Sequence, residues 1–118
     1  MIMPIRVEQV KEAIEQYPDI EVVYLTTPSS DGLCFDIEKM ASSINFDGEN
    51  RILVIDETHG AHFYFSNDCP KPAMRAGADV SVTSIDKSLG GISASSILNI
   101  GEKSKLDSEK IKNKYKMM

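Results

Sequence analysis

Carboxylate, hydroxyl and amine side chains cluster in two short segments of the sequence. The first segment is Asp56-Glu57-Thr58-His59-Gly60 and the second is Ser84-Ile85-Asp86-Lys87. Each follows a run of apolar and β-branched residues that is typical of a buried strand. Ligands of open α/β sheets bind at the carboxyl ends of the strands, so we expect both segments to line one crevice.

A lysine and a carboxylate above one crevice suit pyridoxal 5'-phosphate (PLP). Lys87 would condense with the cofactor aldehyde, and Asp56 would keep the pyridine nitrogen protonated so that the ring accepts electrons. The Ser84 hydroxyl, three residues before the lysine, can hold the phosphate. Structural alternatives stay open at this point, because an aspartate at a strand end is often a helix cap and a lysine in a loop is usually solvated.

The elements that must position these groups alternate between helix and strand. Apolar periodicity predicts helices over 5–17, 36–45 and 107–116. Pro70 at the start and Gly77 as a cap predict a short helix over 70–76. The predicted strands cover 20–26, 51–55, 79–83 and 95–100. This alternation predicts an α/β fold: a three-layer structure with a mainly parallel sheet of about four strands and crossover helices.

One face of the predicted sheet lacks cover. If the first three strands lie in sequence order, right-handed crossovers place all connecting helices on the same face. Parallel strands as apolar as 51–55 need cover on both faces, from the helix over 5–17, from further chain or from a partner. We therefore expect a single partial domain over 1–118 and a homo-oligomer, most simply a dimer.

Composition indicates a soluble, single-domain protein. The 118 residues are 42% hydrophobic and 26% charged, and no stretch approaches the roughly 18 apolar residues of a membrane span. Residues 1–100 hold seven basic and fifteen acidic residues, which disfavours nucleic-acid binding. Residues 101–118 hold six lysines against three acids and are predicted to form a solvated basic helix or tail. Cys34 and Cys69 stand alone, which indicates reduced thiols in a cytoplasmic protein.

Four stretches have a specific order and spacing. They are ILVIDETHGAHF over 52–63, PKPA over 70–73, GADV over 77–80 and SIDKSL over 84–89. Together they resemble the ornithine/lysine/arginine decarboxylase family, whose pattern is a strand, DEAHGAHF, P-x-x-A, GAD and S-T-H-K-T-L. The 31-residue step from Asp56 to Lys87 agrees with the shorter bacterial members. Weaker matches extend the likeness over roughly residues 20–100.

The resemblance implies fold type I, the aspartate-aminotransferase architecture, and PLP-dependent decarboxylation of lysine, arginine or ornithine. By position, Lys87 would be the Schiff-base lysine, Asp56 the partner of the pyridinium nitrogen and Ser84 a phosphate ligand. Thr58 would pack on a face of the ring. His59 would lie near the site, with a purely structural histidine as an equal alternative.

The chain also departs from the family pattern. Asp86 stands where the family has histidine, Thr58 replaces alanine and Ser30 replaces a loop tyrosine. A carboxylate at position 86 would repel a phosphate dianion. The family's upstream phosphate loop and C-terminal domain have no counterpart, so we expect a fragment that binds PLP weakly at most. The alternative function is a catalytically inactive relative that serves as a structural or assembly module.

Two other types of site fit the sequence DETH over 56–59 poorly. A helicase DEAH box needs a GxxxxGK[ST] phosphate loop upstream, and the sequence has none. A zinc site on His59 and His62 lacks a cysteine or a third ligand at a suitable spacing. We therefore predict no metal site and a structural role for His62.

Overall fold

The computed structural model describes residues 3–102 and 104–116. Its helices are α1 (Val7–Gln16), α2 (Ile37–Ser43) and α3 (Ser108–Lys116), and a short 3₁₀ helix covers Ala61–Phe65. Its strands are β1 (Val22–Thr26), β2 (Ile52–Asp56), β3 (Val80–Ser84) and β4 (Ser96–Ile100). Every predicted strand is found, with its ends shifted by two residues at most.

One mixed sheet, in the order β1-β2-β3-β4, organises the fold. The first three strands are parallel, with Thr26 opposite Asp56 and Asp56 opposite Val82. β4 returns antiparallel to β3, with Ser84 opposite Ser96. The predicted α/β fold with a mainly parallel four-stranded sheet is therefore confirmed.

The core lies between one face of this sheet and the helices. Leu53 and Ile55 of β2 are completely buried and share the core with Ile14 of α1 and Met40 of α2. The segment between β2 and β3 adds three small residues, Ala73, Ala76 and Ala78. The connecting segments thus cover the same face of the sheet, as the strand order requires.

Two helix predictions had different outcomes. α2 begins as predicted, because the Asp36 carboxylate accepts a hydrogen bond from the Lys39 N–H at 3.0 Å. The stretch 70–76 forms a turn instead of a helix. It closes one turn through the Ala76 N–H and the Pro72 carbonyl at 3.0 Å, and Gly77, with a φ of 94°, then turns the chain out of the helical conformation.

The buried Arg51 fastens the start of β2 to its surroundings. Its guanidinium donates to both carboxylate oxygens of Asp47, at 2.6 and 2.8 Å. It also donates to the carbonyls of Ile44 and Ile20, each at 3.0 Å. These bonds compensate the loss of water around the charge. The guanidinium in turn lowers the pKa of the Asp47 carboxyl to about 2.

The opposite side of the sheet, here called the exposed face, carries apolar side chains in contact with solvent. Alternation along the paired strands places Val22, Tyr24 and Leu98 on it, and they are 50%, 59% and 53% exposed. α1 packs beside α2, in the core that contains Ile14 and Met40. The alternative that the first helix covers the exposed face is therefore wrong, and a third layer there stays a prediction.

Within residues 3–102 and 104–116, no helix is long and apolar enough to cross a membrane. Cys34 and Cys69 are free, half-buried thiols. The basic end predicted from the sequence forms α3, of which no residue is buried.

A buried acid, Glu57, ties the end of β2 to the turn that precedes β3. Its Oε1 accepts a hydrogen bond from the Ala73 N–H at 2.9 Å, while its Oε2 has no partner among the described residues. Burial raises the pKa of the Glu57 carboxyl, and the Ala73 N–H and the Tyr64 hydroxyl oppose this shift without cancelling it.

Gly60 allows the turn after β2 to pack closely. A Cβ at this position would lie 2.7 Å from Cγ of Glu57 and 2.8 Å from Cδ of Pro28. Because neither neighbour can move freely in a packed interior, the position requires glycine. The loops that follow β1 and β2 therefore rest directly against each other.

We expect Glu57→Gln to keep its stability better than the wild-type chain as pH rises. Folding raises the pKa of Glu57, so the neutral acid stabilises the fold fully below its unfolded pKa of about 4.3. This contribution is lost as pH rises through the folded pKa, by at most about 1.4 kcal/mol per pH unit. Glutamine keeps an oxygen for the Ala73 N–H and has no proton to lose.

Urea denaturation from about pH 4 to about pH 8 measures the difference in free energy of unfolding between the two proteins. Glu38→Gln is the matched control, since Glu38 is exposed and pairs with Lys71 at 2.7 Å. The control should follow the wild-type profile. Parallel profiles for wild type and Glu57→Gln would contradict the raised pKa of Glu57.

Candidate functional site

The two segments that carry chemistry follow neighbouring parallel strands. Asp56 is the last residue of β2, and Lys87 comes three residues after Ser84, the last residue of β3. Parallel strands end at the same edge of a sheet, so both segments lie at one edge. The strand pairing continues beyond this point, because the Glu57 N–H donates to the Val82 carbonyl at 2.8 Å.

The carboxylate of Asp56 is held by two donors on the exposed face of the sheet. The Tyr24 hydroxyl donates to Oδ2 at 3.0 Å, and the Thr58 N–H donates to Oδ1 at 3.1 Å. The bond to Asp56 raises the pKa of the Tyr24 phenol, because it favours the protonated hydroxyl. The sequence prediction missed Tyr24, although alternation from Thr26, which pairs with Asp56, puts it on the same face.

Ser84 and Lys87 complete this edge of the sheet. Alternation from Val82, the partner of Asp56, places Ser84 on the same face as Asp56, and Ser84 is half-buried. Lys87 is exposed, in the loop that leads from β3 to β4. The structure thus brings Asp56 and Ser84 to one face with Lys87 in the adjoining loop, and the roles of all three towards a cofactor stay predictions.

The two histidines occupy different surroundings. His59 forms the turn after β2 together with Thr58, and both side chains are half-buried. His62 is exposed in the 3₁₀ helix and packs edge-on against Phe63, with ring centroids 4.7 Å apart. In the part of the chain that the structure describes, no group of three or more His, Cys, Asp or Glu could hold a metal ion.

The loop after β3 is closed by bonds within itself. Asp86 Oδ2 accepts from the Ala94 N–H at 3.2 Å, and the Gly91 N–H donates to the Ile85 carbonyl at 2.8 Å. A Cβ at position 91 would lie 2.9 Å from that carbonyl oxygen, so glycine is required there. The Ser84 hydroxyl, followed by the Ala94 N–H, lowers the pKa of the Asp86 carboxyl, which is therefore ionised at neutral pH.

An apolar cavity of about 350 Å³ lies elsewhere, between α1 and β1. Its lining includes Val10, Ile14 and Ile20, and none of the predicted site residues contributes to it. Apart from the amide of Gln9 its lining is apolar, so it offers no group for acid, base or amine chemistry. The polar edge formed by the ends of β2 and β3 is therefore the candidate site.

Two solved structures share the fold. Pyridoxamine-pyruvate aminotransferase from Mesorhizobium loti matches with a TM-score of 0.65 and 19% identity, over 83% of this chain and 24% of that chain. The methionine gamma lyase CalE6 from Micromonospora echinospora matches with a TM-score of 0.58 and 23% identity, over 81% and 25% of the respective chains. At such low identity these likenesses show the fold alone, the fold type I architecture that the sequence predicts.

Sequence comparison identifies the family. Arginine decarboxylases from Bacillus cereus and Bacillus subtilis are each 34% identical to this chain over 83% of its length. The chain spans about a fifth of these relatives, 21% and 20% of their respective lengths. The family model described as Orn/Lys/Arg decarboxylase, major domain, matches residues 2–118. This chain therefore belongs to the Orn/Lys/Arg decarboxylase family, within its major domain.

Proposed function

We propose that this chain is the cofactor-lysine segment of a PLP-dependent decarboxylase that acts on lysine, arginine or ornithine. The placement of Asp56 and Lys87 after neighbouring parallel strands supports this more than any other observation. The name of the Bacillus relatives favours arginine among the three substrates. The free thiols of Cys34 and Cys69 favour a cytoplasmic location.

The ring end of the site fits PLP, which when bound supplies an electron sink. Asp56 is an acceptor whose orientation is set by the Tyr24 hydroxyl and the Thr58 N–H, so it is available to a pyridinium nitrogen. The amine of Lys87 is exposed and free to meet an aldehyde. Thr58 would pack on the ring, with His59 beside it.

The phosphate end of the site does not fit PLP. The predicted phosphate ligand, Ser84, lies two residues before Asp86 and lowers the pKa of that carboxyl, which keeps it ionised. A phosphate dianion in contact with this hydroxyl would lie close to a like charge, which opposes binding. We therefore expect this chain to hold PLP weakly.

A second candidate function is that of a catalytically inactive relative that serves as a structural or assembly module. Asp86, which replaces the histidine of the family pattern, favours this candidate because it opposes the cofactor phosphate. The two candidates differ in whether Lys87 reacts with PLP.

We expect the purified chain to form a weak covalent adduct with PLP through Lys87 and to release no CO₂ from lysine, arginine or ornithine. The adduct is reduced with borohydride and its lysine identified by peptide mass mapping, because the chain has nine other lysines, and decarboxylation is measured by CO₂ release. Lys87→Arg keeps the charge but removes the reactive amine, so the adduct at position 87 should disappear without a matching gain at another lysine. Lys71→Arg is the matched control, a loop lysine that pairs with Glu38 at 2.7 Å, and it should leave the adduct intact.

Three results would change the assignment. Robust CO₂ release by the wild-type chain would overturn the expected inactivity. A wild-type adduct that maps to other lysines and not to Lys87 would remove Lys87 from the site. The absence of any adduct in the wild-type chain would favour the assembly module.

We also propose that the chain forms a homodimer through the exposed face of its sheet. Val22, Tyr24 and Leu98 leave apolar surface in water there, and burial gains roughly 25 cal/mol per Å². Apolar patches of several hundred Å² are uncommon on stable monomers. A twofold dimer is the simplest arrangement that covers one such face with its own copy.

Sedimentation equilibrium at micromolar concentration should give twice the 13.1 kDa mass of the chain. Leu98→Lys should shift the equilibrium towards the monomer, because it places a charge on the exposed face. Phe65→Lys is the control, since Phe65 is 76% exposed but lies in the 3₁₀ helix outside the sheet. A wild-type monomer would contradict the proposed dimer.

A further inference from the structure

The negative charge at the end of β3 is fixed in place. Asp86 accepts the Ala94 N–H at 3.2 Å, and the loop around it is closed by the Ile85 N–H, which donates to the Ser95 carbonyl at 3.1 Å. Moving the carboxylate away would leave the Ala94 N–H without this acceptor. Because the Ile85 N–H continues the pairing beyond Ser84, Asp86 follows two residues later on the same side of the chain, and a ligand that reaches Ser84 lies near Asp86 as well.

The charges around this edge offer little to balance an added anion. Its two segments hold three carboxyl groups, of Asp56, Asp86 and the buried Glu57, against the single amine of Lys87. The buried cation next to β2, Arg51, lies at the other end of that strand and is paired with Asp47. A dianionic group next to Ser84 would add to an existing negative charge.

We propose that the ligand of this site is a pyridoxal-type aldehyde without a phosphate group, selected by the Asp86 carboxylate beside Ser84. This inference rests on the proposed function, in which Lys87 is the aldehyde acceptor. The free hydroxymethyl group of such a ligand donates a hydrogen bond to Asp86 and accepts one from Ser84, whereas a phosphate monoester brings only acceptors and charge.

The covalent step is a condensation that balances without an oxidant or reductant. The uncharged Nζ of Lys87 adds to the aldehyde carbon, and a C=N double bond forms. The aldehyde oxygen leaves as water with the two amine protons. The step is the same for the phosphorylated and unphosphorylated aldehydes. A difference between their affinities therefore reports on the ligand group that lies near Ser84.

Titration of the purified chain with pyridoxal and with PLP measures the selection, with the adduct at Lys87 quantified by borohydride reduction and peptide mass mapping. Pyridoxal partly closes to an internal hemiacetal in water, so the informative quantity is the change in each affinity on mutation. Asp86→Asn removes the charge and keeps an oxygen for the Ala94 N–H. We expect it to raise the PLP affinity about tenfold or more and to change the pyridoxal affinity less than about twofold. Asp68→Asn, at an exposed loop aspartate, is the control and should change neither affinity.

Salt provides a second measurement that needs no variant. Screening weakens the repulsion between Asp86 and a phosphate, so added salt should raise the PLP affinity of the wild-type chain and leave pyridoxal nearly unaffected. Both aldehydes could form adducts whose affinities respond neither to Asp86→Asn nor to salt. This result would overturn the selection against the phosphate group, while the role of Lys87 would stand. No adduct with either aldehyde, in wild type or Asp86→Asn, would overturn both.

Discussion

Parallel pairing of β2 with both of its neighbours is the constraint on which the rest of the structure depends. Leu53 and Ile55 must face the core, and successive residues of a strand point to opposite faces. Burial of Ile55 therefore turns Asp56 to the exposed face. A shift of one residue in register would bury the carboxylate and expose the aliphatic side chains, so core packing itself fixes the orientation of the candidate site.

Hydrogen bonds of buried polar side chains hold β2 in place at both ends. Arg51 anchors its start through Asp47 and nearby carbonyls, and Glu57 anchors its end through the Ala73 N–H. Both side chains are charged residue types in buried positions, where a polar group is costly unless it is hydrogen-bonded. Gly60 permits the close packing around Glu57. The edge that carries Asp56 is thus supported by buried polar contacts on the side away from the exposed face.

Local patterns predicted the strands and the Asp36 cap, because both depend on neighbours in the sequence. The helix predicted over 70–76 was wrong, because Pro70 and Gly77 are typical of the two ends of a helix but the segment between them closes only a single turn. The bond from Tyr24 to Asp56 spans 32 residues and depends on strand register, which a single sequence does not specify. The antiparallel pairing of β4 with β3 is likewise a contact between strands that a single sequence does not specify.

The central claim is that the ends of β2 and β3 form one ligand site. Amide chemical-shift mapping by NMR during titration with pyridoxal tests this most directly, because it reports on both segments at once and needs no activity. We predict that the largest shifts occur together in residues 56–60 and 84–89. Shifts in only one of these segments, or shifts confined to the basic residues 104–116, would contradict a shared site.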